Sequence, residues 1–294
     1  MKQLTIREFF KHFPDDESCL NHIFECRFGQ GHQCPKCHEA VKWYRFEAER
    51  AYACGNCGHH LHPTVGTPFE ASRTPLQLWF YAIYLFTSTR HGVSAKELER
   101  QLGVTYKTAW RMGHEIRKHM ADVDDLNLDK LTGHVEIDET YIGGKSRKGK
   151  QGNFKGEKTI VIGMMERNGD VITKVIPGVG KDNILPVIQK YVGKDATITT
   201  DKLHAYNNLP SEGFTHFAIT KTQDGPQHVV GPHHTNSIEG YWHILKASIA
   251  GTHMHVSEQH LDKYLGEFEY RHNNRVKKSA NMFPELISTY AETA

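Results

Sequence analysis

Hydrophobic residues recur at two different spacings along the chain, and the change of spacing divides it. Up to about residue 125 they fall mostly at the helical spacing of three or four, most densely from Leu76 to Thr87. From about residue 131 they form short alternating or continuous runs, which are typical of strands. The predicted strands span residues 134–138, 159–165, 171–177, 196–200 and 215–220.

Helices complete the pattern of the second half. We predict them over residues 183–192, 235–246 and 258–271. An Asn-Gly-Asp turn at residues 168–170 joins the second and third strands as a hairpin. The order is three strands, a helix, a strand, an optional helix, a strand and two helices. It predicts a ribonuclease-H-like α/β catalytic domain, with a mixed sheet and flanking helices, over residues 126–294.

The helix that begins near residue 235 has two different faces. Its apolar stripe consists of Ile238, Trp242, Leu245 and Ile249. Its polar stripe consists of Asn236, Glu239, His243 and Lys246. We expect the apolar stripe to pack on the core and the polar stripe to face a cleft.

Two of the predicted strands each deliver an aspartate. In the first, alternation places Val135 and Ile137 on one face and Glu136 and Asp138 on the other. Asp201 follows the fourth strand. If these strands are neighbours, the two aspartates lie side by side and repel each other unless a cation lies between them.

Glu239 adds a third acid to this pair. Either aspartate alone would be interpreted as an ordinary strand-end carboxylate, so the combination carries the metal hypothesis. Hard carboxylate ligands favour Mg²⁺ or Mn²⁺. Two such ions would clamp a scissile phosphate and activate water or a 3′-hydroxyl without a covalent protein nucleophile.

Four cysteines form two Cys-x-x-Cys pairs in the first segment. Sixteen residues separate the pairs, which consist of Cys34, Cys37, Cys54 and Cys57. This spacing, with short strands between the pairs, predicts a zinc ribbon over residues 1–70 in which Zn²⁺ is structural. The histidines at positions 59, 60 and 62 follow, but four thiolates already complete the site.

A helix, a turn with Gly103 and a basic helix follow over residues 71–125. Ser94 and Thr105 are the expected N-caps of the two helices. This is the plan of a helix-turn-helix, and an ordinary helical hairpin is the alternative. In a DNA-binding unit, the side chains that would meet phosphates or base edges are Tyr106, Lys107 and Arg111. The acidic run 122–125 is predicted to be a loop-like boundary.

The net charge of +2 does not by itself indicate a nucleic-acid-binding protein, but its distribution is uneven. Residues 143–158 hold six Lys/Arg and one acid, and we expect this glycine-rich loop to order on DNA through Lys145, Arg147 and Lys148. The loop does not match the Gly-x-x-x-x-Gly-Lys-Ser/Thr motif, so no nucleotide cofactor is expected.

No apolar run is long enough to span a membrane. With cysteines used for metal, a reducing cytoplasm is expected.

Three runs of the second half resemble a known family as a set. They are residues 135–145, Thr200-Asp201 and residues 234–240, and the run 267–275 adds a fourth similarity. The chain resembles bacterial insertion-sequence transposases of the DDE class, of the subtype with an N-terminal zinc ribbon. The resemblance implies a ribonuclease-H-like core, a divalent metal, recognition of terminal inverted repeats and transfer of freed 3′ ends into target DNA. It also implies a homo-oligomer that acts on paired ends, in a bacterial cytoplasm and on the nucleoid when bound to DNA.

The resemblance assigns the first two catalytic acids to Asp138 and Asp201. The third position is a glutamate or an asparagine in similar sequences, so Glu239 and Asn236 both remain candidates. We favour Glu239, because a carboxylate binds Mg²⁺ more strongly than an amide and can act as a base. Lys246 lies on the same helix face and would hold a substrate phosphate, although an ordinary solvated lysine is the alternative. Two other functions stay open: an inactive DNA-binding regulator derived from a transposase, and a metal-dependent nuclease that does not join strands.

Overall fold

The computed structural model describes residues 4–143, 158–219, 229–230, 233–275 and 279–292. Lys145, Arg147 and Lys148 lie outside the described residues. Contacts divide the chain into two compact units, one of Met1–His119 with Asn274–Ala294 and one of Met120–Asn273. The division into three domains, with boundaries at residues 70 and 125, stays a prediction. The second unit corresponds most closely to the expected catalytic domain, and the last helix groups with the first unit.

The helices and strands follow one another in a mixed order along the described residues. The helices are α1 Ile6–His12, α2 Asp16–Arg27, α3 Leu76–Ser88, α4 Ala95–Leu102, α5 Tyr106–Asn127, α6 Lys181–Tyr191, α7 Asn236–Ser248, α8 Glu258–Asn273 and α9 Ser279–Glu292. The strands are β1 Trp43–Phe46, β2 Ala51–Cys54, β3 His60–Leu61, β4 His134–Ile142, β5 Thr159–Glu166, β6 Val171–Ile176, β7 Thr197–Thr200, β8 Thr215–Ala218, β9 Val229–Val230 and β10 His233–His234.

The first unit combines a small antiparallel sheet with helices. Strands β1, β2 and β3 pair in that order. The chain enters β1 after the first cysteine pair and β3 after the second. Helix α3 is apolar around most of its circumference and is buried accordingly, with Trp79 and Phe80 fully covered. Helix α9 packs in the same unit, where Phe283 contacts the rings of Phe9 and Phe80.

Helices α4 and α5 are joined by a short turn in the way the sequence predicts. Ser94 accepts a hydrogen bond from the Glu97 N–H, and Thr105 accepts one from the Thr108 N–H, so both expected N-caps are confirmed. Gly103 ends α4 with φ of 65°, a left-handed conformation that glycine adopts without steric cost. The predicted loop over residues 122–125 is wrong, because α5 continues through it to Asn127.

The second unit is built on a five-stranded mixed sheet of order β6-β5-β4-β7-β8. Strands β4, β5 and β6 are antiparallel neighbours, and β7 and β8 pair in parallel with β4 and with each other. This order and these directions are those of a ribonuclease-H-like sheet, as the sequence predicts. The extension of β4 to Ile142 gives it a long pairing with β5, from Val135 to Ile142.

Helices cover both faces of this sheet. One core includes Val135, Ile137 and Ile198 with residues of α6 such as Ile188. The opposite core includes residues of α7 and α8, and it contains the whole apolar stripe predicted for α7. Because β4 lies in the middle, its alternating side chains reach both cores. None of the described helices is long and apolar enough to cross a membrane.

Candidate active site

The middle of the sheet brings the two predicted aspartates together. Strand β4 pairs in parallel with β7 so that Val135 faces Ile198 and Glu136 faces Thr199, a constant offset of 63 residues (198 − 135 and 199 − 136). Continued by two residues, this register places Asp138 beside Asp201. Both carboxylates are half-buried. Asp201 also accepts a hydrogen bond from the backbone N–H of Leu203 at 3.0 Å, which fixes one of its oxygens as the chain leaves the strand.

A further carboxylate that the sequence analysis does not include lies beside this pair. Burial, followed by the charges of Asp138 and Asp201, raises the pKa of Glu139 to about 8. The hydroxyl of Tyr206 donates a hydrogen bond to Glu139. The charges of Asp138 and Asp201 both act on Glu139, and the repulsion that this pKa shift reports is what a divalent cation would offset. Glu139 directly follows Asp138, but β-strand alternation assigns it to the opposite face, so the sequence does not suggest its proximity.

A close contact between α7 and the sheet holds the Asp138 carboxylate in place. Gly163 lies opposite Asp138 on β5. A Cβ atom at Gly163 would meet the Trp242 ring at 2.4 Å and Ile238 at 2.9 Å, so glycine is needed for this approach. With the helix this close, Trp242 Nε1 donates to Asp138 Oδ2 at 3.1 Å.

Glu136 connects β4 to the first turn of α7. Its carboxylate is fully buried and accepts hydrogen bonds from the backbone N–H groups of Ser237 at 2.8 Å and Ile238 at 3.1 Å. The first N–H groups of a helix have no partner within the helix, and a negative charge is favourable there. Arg167 Nη2 and His234 Nδ1 lie 3.3 and 3.0 Å from Glu136 Oε1. Glu136 thus fixes the start of the helix that carries the third candidate acid.

The predicted polar stripe of α7 lies along one side of that helix. Glu239 is half-buried, and its Oε1 accepts a hydrogen bond from Thr235 Oγ1 at 3.2 Å. Asn236 is exposed in the first turn. Trp242, which contacts Asp138, is three residues beyond Glu239, so the two side chains occupy neighbouring positions on the helix surface.

Lys246 lies further along the same helix. It is exposed and lines a cavity of about 170 Å³ together with Tyr141 and Gly143, at the end of β4 beyond Asp138. A cation at this place is suited to a phosphate next to the carboxylates. Its role as a phosphate contact stays a prediction.

The donor set at this site fits a hard divalent cation. Asp138, Asp201 and Glu239 offer carboxylate oxygens, which Mg²⁺ and Mn²⁺ prefer. Within the described ranges, the oxygens of these three residues do not form a group whose members all lie within 4.8 Å of one another. Joint binding of one ion by all three would therefore need their side chains to move closer together.

The four cysteines of the first unit form a complete set of four metal ligands. Their sulfur atoms all lie within 4.8 Å of one another. Cys34 Sγ is 3.6 Å from Cys57 Sγ, and Cys37 Sγ is 3.8 Å from Cys54 Sγ. A tetrahedral Zn²⁺ with Zn–S bonds of about 2.3 Å requires sulfur atoms about 3.8 Å apart. The group therefore fits structural zinc, as the spacing of the pairs predicts.

The three residues proposed to contact DNA from α5 are exposed. Tyr106 and Lys107 lie in its first turn, and the ammonium group of Lys96 lies 4.9 Å from the centre of the Tyr106 ring. Arg111 is already engaged within the unit, since its guanidinium lies 5.3 Å from the centre of the Trp79 ring. Tyr106 and Arg111 therefore each already have a cation–ring contact within the unit.

Comparison with known families agrees with both halves of this description. Residues 130–273 match the model of the ISXO2-like transposase domain. Residues 14–60 match the model of the transposase zinc-ribbon domain. The first match contains β4, β7, α7 and α8, and the second contains all four cysteines.

The proteins similar to the chain include two relatives and two solved structures. An uncharacterized protein in transposable element ISH50 of Halobacterium salinarum is 27% identical over 306 residues, covering 97% of this chain and 98% of the relative. An uncharacterized transposase-like protein of Haemophilus influenzae is 29% identical over 119 residues, covering 40% and 93%. The catalytic core domain of BIV integrase is 19% identical with a TM-score of 0.30, covering 46% and 81%. The Mos1 strand transfer complex is 12% identical with a TM-score of 0.32, covering 73% and 76%.

The two domain matches follow the order of the two structural features, a four-cysteine ribbon before a ribonuclease-H-like sheet. The chain therefore belongs to the insertion-sequence transposases in which a transposase zinc ribbon precedes an ISXO2-like transposase domain.

Proposed function

We propose that this transposase binds the terminal inverted repeats of its element, cleaves at the element ends and transfers the 3′-hydroxyl ends to target DNA. The observation that supports the proposal is the parallel register of β4 and β7, which pairs Glu136 with Thr199 and, continued by two residues, would bring Asp138 beside Asp201. Phosphoryl transfer between DNA strands needs groups that hold divalent cations against a phosphate, and paired carboxylates do this.

Each residue of the site has a separate role in the proposal. Asp138 and Asp201 hold the cations, and Glu239 completes the ligand set, with Asn236 as the alternative. When bound, Mg²⁺ or Mn²⁺ would polarise the phosphate and stabilise the leaving oxygen. Trp242 fixes the orientation of Asp138 through its indole N–H. Lys246 would hold a phosphate of the substrate end.

The basic residues outside this site are assigned to DNA binding. Tyr106, Lys107 and Arg111 of α5 would contact the terminal repeat, as the second helix of a helix-turn-helix does. Lys145, Arg147 and Lys148 would contact the DNA backbone. We further propose that two or more copies act on paired ends, on nucleoid DNA in the cytoplasm.

The test is strand cleavage and joining on a supercoiled plasmid that carries the DNA flanking the coding sequence. Asp138→Ala and Asp201→Ala should each reduce cleavage by more than about 100-fold, because each removes a charged group that acts in the transition state. End binding in a gel-shift assay should survive in both variants. Asp182→Asn, which changes an exposed aspartate of α6, is the matched control and should cleave normally.

The products distinguish the proposal from its rivals. Joined strands in the wild-type reaction support transposition, whereas hydrolysed ends without joining would show a nuclease. Binding without any metal-dependent cleavage would show a DNA-binding regulator. Full cleavage by Asp138→Ala or Asp201→Ala would contradict the role given to the carboxylates.

A further inference from the structure

A second group of metal-type ligands lies on the zinc-ribbon sheet, separate from the four cysteines. Glu49, His60 and His62 each offer a ligand atom, and these three atoms all lie within 4.8 Å of one another. Glu49 Oε2 is 4.0 Å from His62 Nε2. The four cysteines already fit one zinc ion, so these three side chains are not needed for it.

The backbone of the sheet sets the positions of this group. His60 begins β3, and His62 directly follows the strand. Because side chains alternate along an extended chain, residues two apart lie on the same face. Strand β3 is held to β2 by the pairing of His60 with Ala53. Glu49 belongs to the turn that joins β1 to β2. The three ligands thus come from two segments that the sheet holds next to each other.

Neighbouring side chains restrict two of the three ligands further. The His60 ring packs on the Phe46 ring, with 4.3 Å between the ring centres. Arg45 donates hydrogen bonds from its guanidinium to the backbone carbonyls of Glu49 and Ala51, which fixes the turn. His62 and Glu49 are exposed, so their side chains can adjust without disturbing the core.

Two imidazoles and one carboxylate form a ligand set that zinc accepts, with a fourth position left open. At metal–ligand distances of about 2.1 Å, tetrahedral ligand atoms are about 3.4 Å apart, so the Glu49–His62 distance would need to shorten by only about 0.6 Å. We propose that Glu49, His60 and His62 bind a second zinc ion. This ion would fasten the β1–β2 turn to the edge strand β3, and its open position would face solvent.

The experiment is a Zn²⁺ titration of the whole 294-residue chain in competition with a chromophoric chelator, with zinc content checked by elemental analysis. The wild type should bind one equivalent very tightly and a second more weakly. His62→Ala and Glu49→Gln should each keep the tight equivalent and weaken the second by at least about 100-fold, which is the largest loss typical of removing a group that only hydrogen-bonds to a metal ligand. His59→Ala, which removes a neighbouring histidine outside the group, should bind both equivalents.

The tight equivalent reports in each variant that the cysteine site is still folded. A wild-type protein that binds a single equivalent would overturn the proposal. Retention of the second equivalent in both His62→Ala and Glu49→Gln would also overturn it, as would its loss in His59→Ala. The readout is zinc binding, so the result is independent of whether the protein cleaves DNA.

Discussion

The buried carboxylate of Glu136 supports the start of α7, the helix that carries Glu239. Glu136→Gln keeps one acceptor but removes the charge that faces the helix N-terminus and Arg167. We expect a loss of about 2 kcal/mol in the free energy of unfolding, the usual value of hydrogen bonds to a charged group. Urea unfolding followed by circular dichroism measures it. Glu258→Gln, at an exposed position in the first turn of α8, is the control; equal stability of the two variants would contradict the role of Glu136.

Asp124 lies buried under α8 and gives the second unit a dependence on pH. Burial, followed by the charge of Glu269, raises the pKa of Asp124 from its usual 3.8 to about 8. The stability that the protonated carboxyl contributes is complete below pH 3.8 and is lost as the pH rises through about 8. The folded protein should therefore lose stability across this range.

Asp124→Asn removes this titration, because an amide stays neutral. At pH 9 the variant should be more stable than the wild type by more than about 1.4 kcal/mol, the value of a single pKa unit. Unfolding in urea at pH 5, 7 and 9 measures the slope. Asp122→Asn changes an exposed residue of the same helix and should keep the wild-type slope. A wild-type slope in Asp124→Asn would show that Asp124 is ionised in the folded protein.

At the scale of elements, the packing of α7 on β5 depends on Gly163. Gly163→Ala places a methyl group within 2.4 Å of the Trp242 ring, so the helix must shift away from the sheet. We expect a cost of about 1–3 kcal/mol, which is typical of overpacking, together with reduced DNA cleavage because Trp242 loses Asp138. Gly240→Ala is the matched control, since a Cβ there meets nothing within 4 Å. It should be neutral or stabilising by up to about 1 kcal/mol. Similar effects of the two substitutions would contradict the close-approach explanation.

The elements themselves could be predicted because their signals are local. Alternation in β4 correctly separates Val135 and Ile137 from Glu136 and Asp138, and the apolar stripe of α7 is buried as expected. The helical run through residues 122–125 was missed because an acidic sequence indicates a loop unless its buried face is known. Val123 and Asp124 form that face, and both are covered.

The supporting contacts of the site could not be predicted from local pattern. Glu136 meets Ser237 across 101 residues of sequence, and Gly163 meets Trp242 across 79 (242 − 163). Both contacts depend on how α7 docks on the sheet, and spacing within each segment contains no information about docking. The one feature of the sequence that indicates a structural role for Glu136 is its position between two apolar residues of a strand.

At the scale of the whole molecule, the zinc ribbon is expected to depend on its metal more than the ribonuclease-H-like unit does. The ribbon contains a three-stranded sheet of short strands, which buries little apolar surface. Binding of zinc by the four thiolates therefore contributes directly to its folding. Cys34→Ser should open residues 28–60 to proteolysis, while the protected core of the second unit stays intact. Mass spectrometry of the fragments measures this. Cys26→Ser, outside the cysteine pairs, should give the wild-type pattern, and a protected ribbon in Cys34→Ser would contradict a structural role for zinc.

The central claim is that Asp138 and Asp201 share a divalent cation and that α7 supplies the third ligand. Anomalous diffraction from crystals soaked in Mn²⁺ tests it most directly. We predict a peak between the Asp138 and Asp201 carboxylates, with Glu239 rather than Asn236 as the ligand from α7. A Mn²⁺ ion that contacts only one of the two aspartates, or that binds away from the end of β4 and β7, would contradict the account.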